Sequence, residues 1–412
     1  MNSPKNNLSA LRILWVGPAI DEAHFSNPAV SAAASMWQQS LISSLLDQNT
    51  RVLPEVQIEV VSHLPHRCFP RGALRPEGGP SIFPASMRGF AVKYINIPIL
   101  RNWMLGLGYM KAIKELIASA GTHPYDLIVS YNVEAYLSRS VAKLARKNQI
   151  TWVSIIADLP KVRPRSFLEC GKAHLADGRI FLSWKNFKSY AQGNEDLFLE
   201  GGVAFYESNT PDDNAGESLL RNEEKIKRIA YFGGITTLGG IDLFLEATRY
   251  LPGPQYQFHI AGAGEISRLQ PFLKDDSRIN YHGAITQKEL INLGRSIDVF
   301  VDPRPSSHSE NNFPSKILTY LGFSKPIIST MGLGIPPEYS KVLIKLQSEE
   351  AKTLAQNIGE ICSWDQARVH QHQVEIQEFV ASHKSWGIQG KRALDWMRLK
   401  INQRRGNNEY SA

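Results

Sequence analysis

The chain has 412 residues, 43% of them hydrophobic and 21% charged, too many for one core and too apolar for disorder, so about two globular domains are expected. The net charge of +7 lies wholly in the first half: residues 1–200 carry 22 Lys plus Arg against 15 Asp plus Glu, and residues 201–412 carry 24 against 24, so the halves face different partners. A polar start, no run of about 18 apolar residues and three dispersed cysteines (Cys68, Cys170, Cys362) without CxxC spacing argue against a membrane span and a structural zinc site, and for a reducing cytoplasm.

The first element is the apolar run LRILWVG, which ends at Gly17; the loop DEAHFSNP and the helical pattern SAAASMWQQSLISSLL follow. The same alternation continues through the strand VQIEVVSHL, the helix LGYMKAIKELIASA, the strand YDLIVSY, the helix EAYLSRSVAKLARK and the strand TWVSIIADLP. Strands without alternating polarity, separated by helices, predict a parallel sheet covered on both faces. Within residues 61–120, eight basic residues (Arg67, Arg71, Arg75, Arg88, Lys93, Arg101, Lys111, Lys114) stand against Glu77 and Glu115, interleaved with Phe69, Phe83, Phe90, Trp103 and Leu105. That mixture suits an anionic inner-membrane surface, where each nearby Lys or Arg contributes about 1 kcal/mol. No RNP, KH or helix-turn-helix signature points to nucleic acid. The polar stretch 206–225 reads as an interdomain linker.

A second α/β unit restarts at KRIAYFGGI and runs through DLFLEATRYL, YQFHIAGAGE, INYHGAI, ELINLGRSI and DVFVDP to a helical tail. The chain is thus expected to divide into residues 1–210, a linker at 211–225, a second domain at 226–384 and a C-terminal helix at 385–412 that crosses back to the first domain. Two Rossmann-like domains joined once bring the carboxyl ends of their strands to a shared cleft, where open α/β sheets bind ligands. In YFGGITTLGG, glycines on both sides of Thr236 and Thr237 let backbone amides approach a ligand. HIAGAGE lacks the third glycine and the acid of a dinucleotide fingerprint, so NAD is rejected, and His370 and His372 have no acid or cysteine at ligand spacing for a metal. In ENNFPSKILTYLGFSKPIIST (310–330), Ser315 as N-cap puts Ile317, Leu318 and Leu321 on a buried face and Lys316 and Thr319 on the other. A lysine in a first turn opposes the helix dipole. An anion there resolves the conflict: the amides behind Pro314 and the Lys316 ammonium would hold a phosphate or diphosphate, with Arg304 in VDPRPSS as a second cation.

The ordered set FGGI, LGGIDLFLEA, HIAGAGE, INYHGAI, DVFVDPRP, FPSKILTYLGFSKPIIST and GLGIPPEY resembles the C-terminal domain of glycosyltransferase family 4, retaining GT-B enzymes, in particular its bacterial polysaccharide-assembly branch. The match covers about residues 228 to 340. The first half is similar only in layout, through the strand ending at Gly17, an acidic turn at Asp158 and LEGGV near the domain end. The resemblance implies transfer of a sugar from a nucleotide-diphosphate sugar, a co-substrate rather than a cofactor, to an acceptor hydroxyl with retention. It implies that Gly233 and Gly234 approach the diphosphate, that Gly262 and Gly264 form the donor loop, and that His282, Gly283 and Ile285 contact the base. Glu310, Asn311, Asn312 and Phe313 would line the sugar pocket, with Pro314, Ser315, Lys316 and Thr319 at the diphosphate and Arg304 assisting. Gly17, His24, Ser26 and Asn27 would lie on the acceptor side with Asp158, which joins Lys316, Arg304 and Glu310 as the catalytic set.

Two positions depart from the family pattern. Thr319 stands where a glutamate precedes the Tyr, so the Glu-x7-Glu pair is absent, and Gly239 stands where many relatives have a lysine. Two readings follow: a cytoplasmic, peripherally membrane-attached transferase acting on a lipid-linked saccharide for capsule, exopolysaccharide or O-antigen, or a degenerate GT-B protein that binds a nucleotide sugar or a partner enzyme. A GT-B epimerase is a third option, for which no base set is identified.

Overall fold

A computed structural model describes residues 10–48, 56–76, 78–121, 125–132, 134–160, 163–206, 226–308 and 312–409. The chain divides into two compact units, Met1–Gly202 with Trp386–Ala412, and Val203–Ser385. The expected linker at 211–225 lies outside the described residues.

The first unit contains β1 (Leu11–Val16), α1 (Ala32–Asp47), β2 (Val56–Ser62), β3 (Arg88–Ala91), α2 (Arg101–Ser119), β4 (Leu127–Tyr131), α3 (Ala135–Lys147), β5 (Thr151–Ile156), α4 (Pro164–Cys170), β6 (Gly178–Phe181), α5 (Trp184–Tyr190) and β7 (Leu197–Phe198). Its sheet is parallel, in the order β3-β2-β1-β4-β5-β6-β7. The second unit contains β8 (Lys227–Phe232), α6 (Ile241–Thr248), β9 (Tyr256–Ala261), α7 (Gln270–Asp275), β10 (Ile279–Tyr281), α8 (Gln287–Arg295), β11 (Val299–Asp302), α9 (Lys316–Leu321), β12 (Ile327–Ser329), β13 (Ile344–Lys345), α10 (Ala351–Cys362) and α11 (Gln366–Phe379). Its parallel order is β10-β9-β8-β11-β12-β13. The last helix, α12 (Trp386–Glu409), belongs to the first unit.

Both faces of each sheet are buried, which is why the central strands read as unbroken apolar runs. In the first unit one core gathers Ile13, Trp15, Leu41 and Leu45 with Ala393, Leu394 and Met397 of α12, and the other gathers Leu14, Val16, Tyr109, Ile113, Val141 and Trp152. Close approach of α1 and α12 depends on Gly390, where a Cβ would lie 2.0 Å from Ser44 Oγ. A repeated device sets the parallel registers. The aspartate just before a strand accepts the backbone N–H of the second residue of the neighbouring strand: Asp126 from Arg12, Asp177 from Trp152, Asp196 from Arg179 and Asp298 from Arg228, at 2.8–2.9 Å. Each satisfies a strand-end donor that has no ladder partner.

Four short strands, β3, β6, β7 and β13, are absent from the sequence reading. They run two to four residues, too short to show a period.

Candidate active site

The loops at the carboxyl ends of β8, β9 and β10 are tied to one another through glycines. Gly262 has φ 147°, and a Cβ there would lie 1.9 Å from Gly233 O; Gly264 has φ 146°, with Ile235 O 2.4 Å from the same position. Backbone bonds fill these approaches: Ile235 N–H donates to Ala263 O, Glu265 N–H to Ile235 O and Gly262 N–H to Gly283 O, all at 2.8 Å. Gly262 and Gly264, read in the sequence as the donor loop, therefore serve loop-on-loop packing. Gly233 and Gly234 differ. Gly234 is exposed, and a Cβ on it would come no nearer than 4.0 Å to its neighbours, while one on Gly233 would meet Tyr231 Oη only at 3.4 Å, so this turn has room beside it.

Under that turn sits a buried charge cluster. Lys316, at the start of α9, places Nζ 2.8 Å from Asp302 Oδ1, with the side chains 12% and 1% exposed. The same ammonium lies 4.3 Å from the Tyr231 ring centroid and 3.4 Å from Gly239 O. Burial lowers the Lys316 pKa, and the Asp302 carboxylate opposes that shift. Tyr320 Oη accepts from Phe232 N and donates to Phe232 O, both at 2.9 Å, and so clamps the end of β8. Arg304 follows Asp302 by two residues; its carbonyl accepts from Thr330 Oγ1 at 2.6 Å, and its buried Nε has no hydrogen-bond partner among the described residues. Pro303 and Arg304 pack on Gly240, where φ is 82° and a Cβ would strike Pro303 O at 2.1 Å.

The expected N-cap does not form. Ser315 has helical φ and ψ, is exposed, and makes no side-chain cap. Ile317, Leu318 and Leu321 are buried as expected, while Lys316, expected on the opposite face beside an anion, turns inward to Asp302. Around them, Asn312 is exposed, Pro314 is buried, Thr319 is half-buried, and Phe313 packs its ring 5.4 Å from Tyr339. Glu310 and Asn311 lie outside the described residues. His282 is exposed and stacks on buried His259, with Nε2 3.0 Å from its Nδ1. Burial and this neighbour bring His259 down to about 4, and burial lowers His282. Gly283 adopts φ 74° and Ile285 packs on the core.

In the first unit, Gly17 is buried: a Cβ would meet Gln38 Oε1 at 2.4 Å and Tyr131 Cβ at 2.6 Å. His24 Nε2 lies 3.1 Å from Ser81 O, Asn27 donates to Pro65 O at 2.8 Å, and Ser26 is exposed. His24 and Asn27 thus fasten their loop to neighbouring loops. Asp158 is exposed after β5. The sequence reading missed Glu134, after β4, which accepts from Asn132 Nδ2 at 3.3 Å; burial raises its pKa, and Asp158 adds to the shift. Its position after a buried strand was the available signal. Behind it lies an aromatic nest: His63 Nδ1 is 2.7 Å from Tyr109 Oη, and burial with Arg101 brings the imidazole down to about 3.

The family model described as Glycosyl transferases group 1 matches residues 226–363. No curated protein matches the chain. Among solved structures, sucrose-phosphate synthase from Thermosynechococcus elongatus superposes with a TM-score of 0.66 at 15% identity, covering 95% of this chain and 100% of that one. A glycosyltransferase from Rickettsia africae gives 0.67 at 13% identity, with 95% and 99% covered. HepE from Anabaena, solved in complex with UDP, gives 0.61 at 13% identity, with 98% and 100% covered. Identities of this order carry the fold alone, and the fold is that of GT-B glycosyltransferases: two α/β domains, each on a parallel sheet.

Proposed function

We propose that the protein is a retaining, metal-independent glycosyltransferase of the hexosyltransferase type, which moves a sugar from a nucleotide-diphosphate sugar to a lipid-linked saccharide in polysaccharide assembly at the cytoplasmic membrane face. The observation that carries this reading is the cation at the end of β11: Arg304, with a buried Nε lacking a partner among the described residues, packed against the glycine-rich turn that leaves room at Gly234. A match of residues 226–363 to the group 1 model supports it, as does the fold shared with HepE, which was solved with UDP-glucose.

The cations divide the work. Lys316 is balanced by Asp302, so the trio Lys316, Asp302 and Arg304 retains one net positive charge, and Arg304 supplies the fork that holds diphosphate oxygens. Lys316 is the positioning residue: it keeps Asp302 from repelling the anion. As the sugar departs, charge grows on the diphosphate, and a fixed cation in a partly desolvated site stabilises it without reorganising. Glu134 and Asp158 in the first unit are proposed to receive acceptor hydroxyls.

The test is nucleotide release from a panel of UDP- and GDP-sugars with membrane extract as acceptor. Release should require one donor and fall about 100-fold in Arg304→Ala; release unchanged by that substitution would sink the assignment. Thr319 in place of an acid, with Lys316 already engaged by Asp302, favours a second reading as a binder that no longer transfers. Its mark would be no release, with a nucleotide sugar raising the melting temperature of the native protein but not of Arg304→Ala.

A further inference from the structure

Of the sixteen large hydrophobic residues that are exposed among the described residues, seven lie between Phe69 and Leu107: Phe69, Leu74, Ile97, Ile99, Leu100, Trp103 and Leu107. The concentration is not a loop wandering at random, because buried Asn96 pins it together. Asn96 Nδ2 donates to Arg67 O at 2.6 Å and Ala73 O at 2.9 Å, its N–H donates to Leu74 O, and its carbonyl accepts from Phe69 N–H. The loop 67–74 is thereby fixed beside residues 97–100, and the two segments form one surface.

Ile99 is the extreme point. It is 99% exposed, and its φ is 73°. A β-branched side chain is rarely found in that left-handed region, and backbone strain of this kind persists where the surroundings enforce it and function uses it. The enforcement is visible: Leu100 N–H bonds to Pro98 O, Arg101 N–H to Ile97 O and Met104 N–H to Leu100 O, so the chain turns directly into α2 with Ile99 thrust outward. Along α2, Trp103 at 62% and Leu107 at 44% exposure continue the apolar stripe at four-residue spacing, and Lys111 follows one turn later. Arg67 and Arg71 are exposed on the pinned loop, Arg75 directly after it, and Lys114 on the helix. Lys111 is exposed too, 3.9 Å from Glu115.

We infer that this surface docks on an anionic lipid bilayer, with Ile99, Leu100 and Trp103 entering the headgroup boundary and Arg67, Arg71, Arg75 and Lys111 meeting lipid phosphates. An apolar tip ringed by cations matches that interface in both depth and charge. A nucleic-acid surface would not place a bare isoleucine at its summit, and no described helix is long and apolar enough to cross a membrane, so the contact is with one leaflet. The inference deepens the lipid-linked acceptor of the proposed reading and names the surface that meets the membrane, but it stands on the surface alone.

The experiment is co-sedimentation of the full chain with phosphatidylcholine vesicles and with vesicles containing about 30% phosphatidylglycerol, at low and high salt. Binding is expected to the anionic vesicles only, weakened by salt. It should drop about 100-fold in Arg67→Glu/Arg71→Glu/Arg75→Glu, and below detection in Ile99→Asp/Trp103→Asp. Both variants change exposed side chains and should keep the native melting temperature. Equal binding to both vesicle types, or unchanged binding by Ile99→Asp/Trp103→Asp, overturns the inference. So does a wild-type dimer that this double variant converts to monomer, since the patch then meets a second copy. Nucleotide release with a soluble acceptor should be unaffected by these changes. Loss of release with vesicle binding intact refutes the transferase reading alone.

Discussion

The two units handle positive charge in opposite ways. In the second unit Lys316 is sunk beneath a glycine-rich turn against Asp302 and Arg304; in the first, Arg67, Arg71 and Arg75 stand in water beside bare Ile99 and Trp103. A buried cation is fixed, nearly independent of salt and expensive to orphan, whereas exposed cations act through a field that salt screens within about 10 Å. The first arrangement suits one small anion held in one geometry, the second a broad anionic surface.

Breaking the buried pair should have the largest effect. Lys316→Ala leaves Asp302 charged and unpaired at 1% exposure, and is expected to lower the unfolding free energy by about 3–5 kcal/mol in urea denaturation, whereas Lys316→Met/Asp302→Asn should recover most of it. If the single change costs under about 1 kcal/mol, the pair is solvated and the contrast between the units collapses.

Acid sharpens the comparison next. Imidazoles whose folded pKa values are depressed stay neutral while the unfolded chain takes up protons, so stability is full above about pH 6.5 and falls as pH drops. For the first unit the fall should continue to about 3, set by His63, and for the second to about 4, set by His259. His63 accounts for on the order of 4 kcal/mol and His259 for about 2, the latter reduced by partial solvent screening. Unfolding at about pH 7, 5.5 and 4.5 in His63→Gln should show a flattened profile; the same slope as the native protein would remove His63 as its source.

Within the second unit, Gly262→Ala should cost about 1–3 kcal/mol, because φ 147° and a carbonyl 1.9 Å away leave no place for a methyl. Gly234→Ala, with open space, should stay within about 0.5 kcal/mol in thermal unfolding while slowing nucleotide release. Equal destabilisation by the two would mean that both glycines serve packing alone. The smallest effect belongs to the exposed pair on α2: Glu115→Gln should change stability by less than about 0.5 kcal/mol, as its 3.9 Å contact lies in water.

Much of this was legible in the sequence. LRILWVG, YDLIVSY and DVFVDP declare buried parallel strands because both faces of such a strand are apolar, and the cations of residues 61–120 stand out by count. The aspartate before each of four strands was also in plain view, though its role as acceptor for the neighbouring strand needs the register. Lys316 reads as a free ammonium because its partner Asp302 lies 14 residues away and no helical spacing links them. Gly262 and Gly264 read as a donor loop, and that each also admits a carbonyl of the neighbouring loop is visible only in the fold, since a glycine that admits a ligand and one that admits another loop look alike in a string. Glu134 carried one signal in the string, its place just after the buried strand β4; the raised pKa that burial gives its carboxyl needs the fold.

The sequence by itself determined the two α/β units and their strand cores, because hydrophobic period is a local property that each segment carries alone. It also determined the excess of cations in the first half, which is a matter of composition. Only the tertiary structure decided which of those charges are neutralised and which stand in water, that Asn96 gathers a loop and a helix start into one surface, and that Ile99 forms its tip. Those outcomes depend on contacts between residues far apart in the chain, where desolvation and close packing, not local pattern, set the energy.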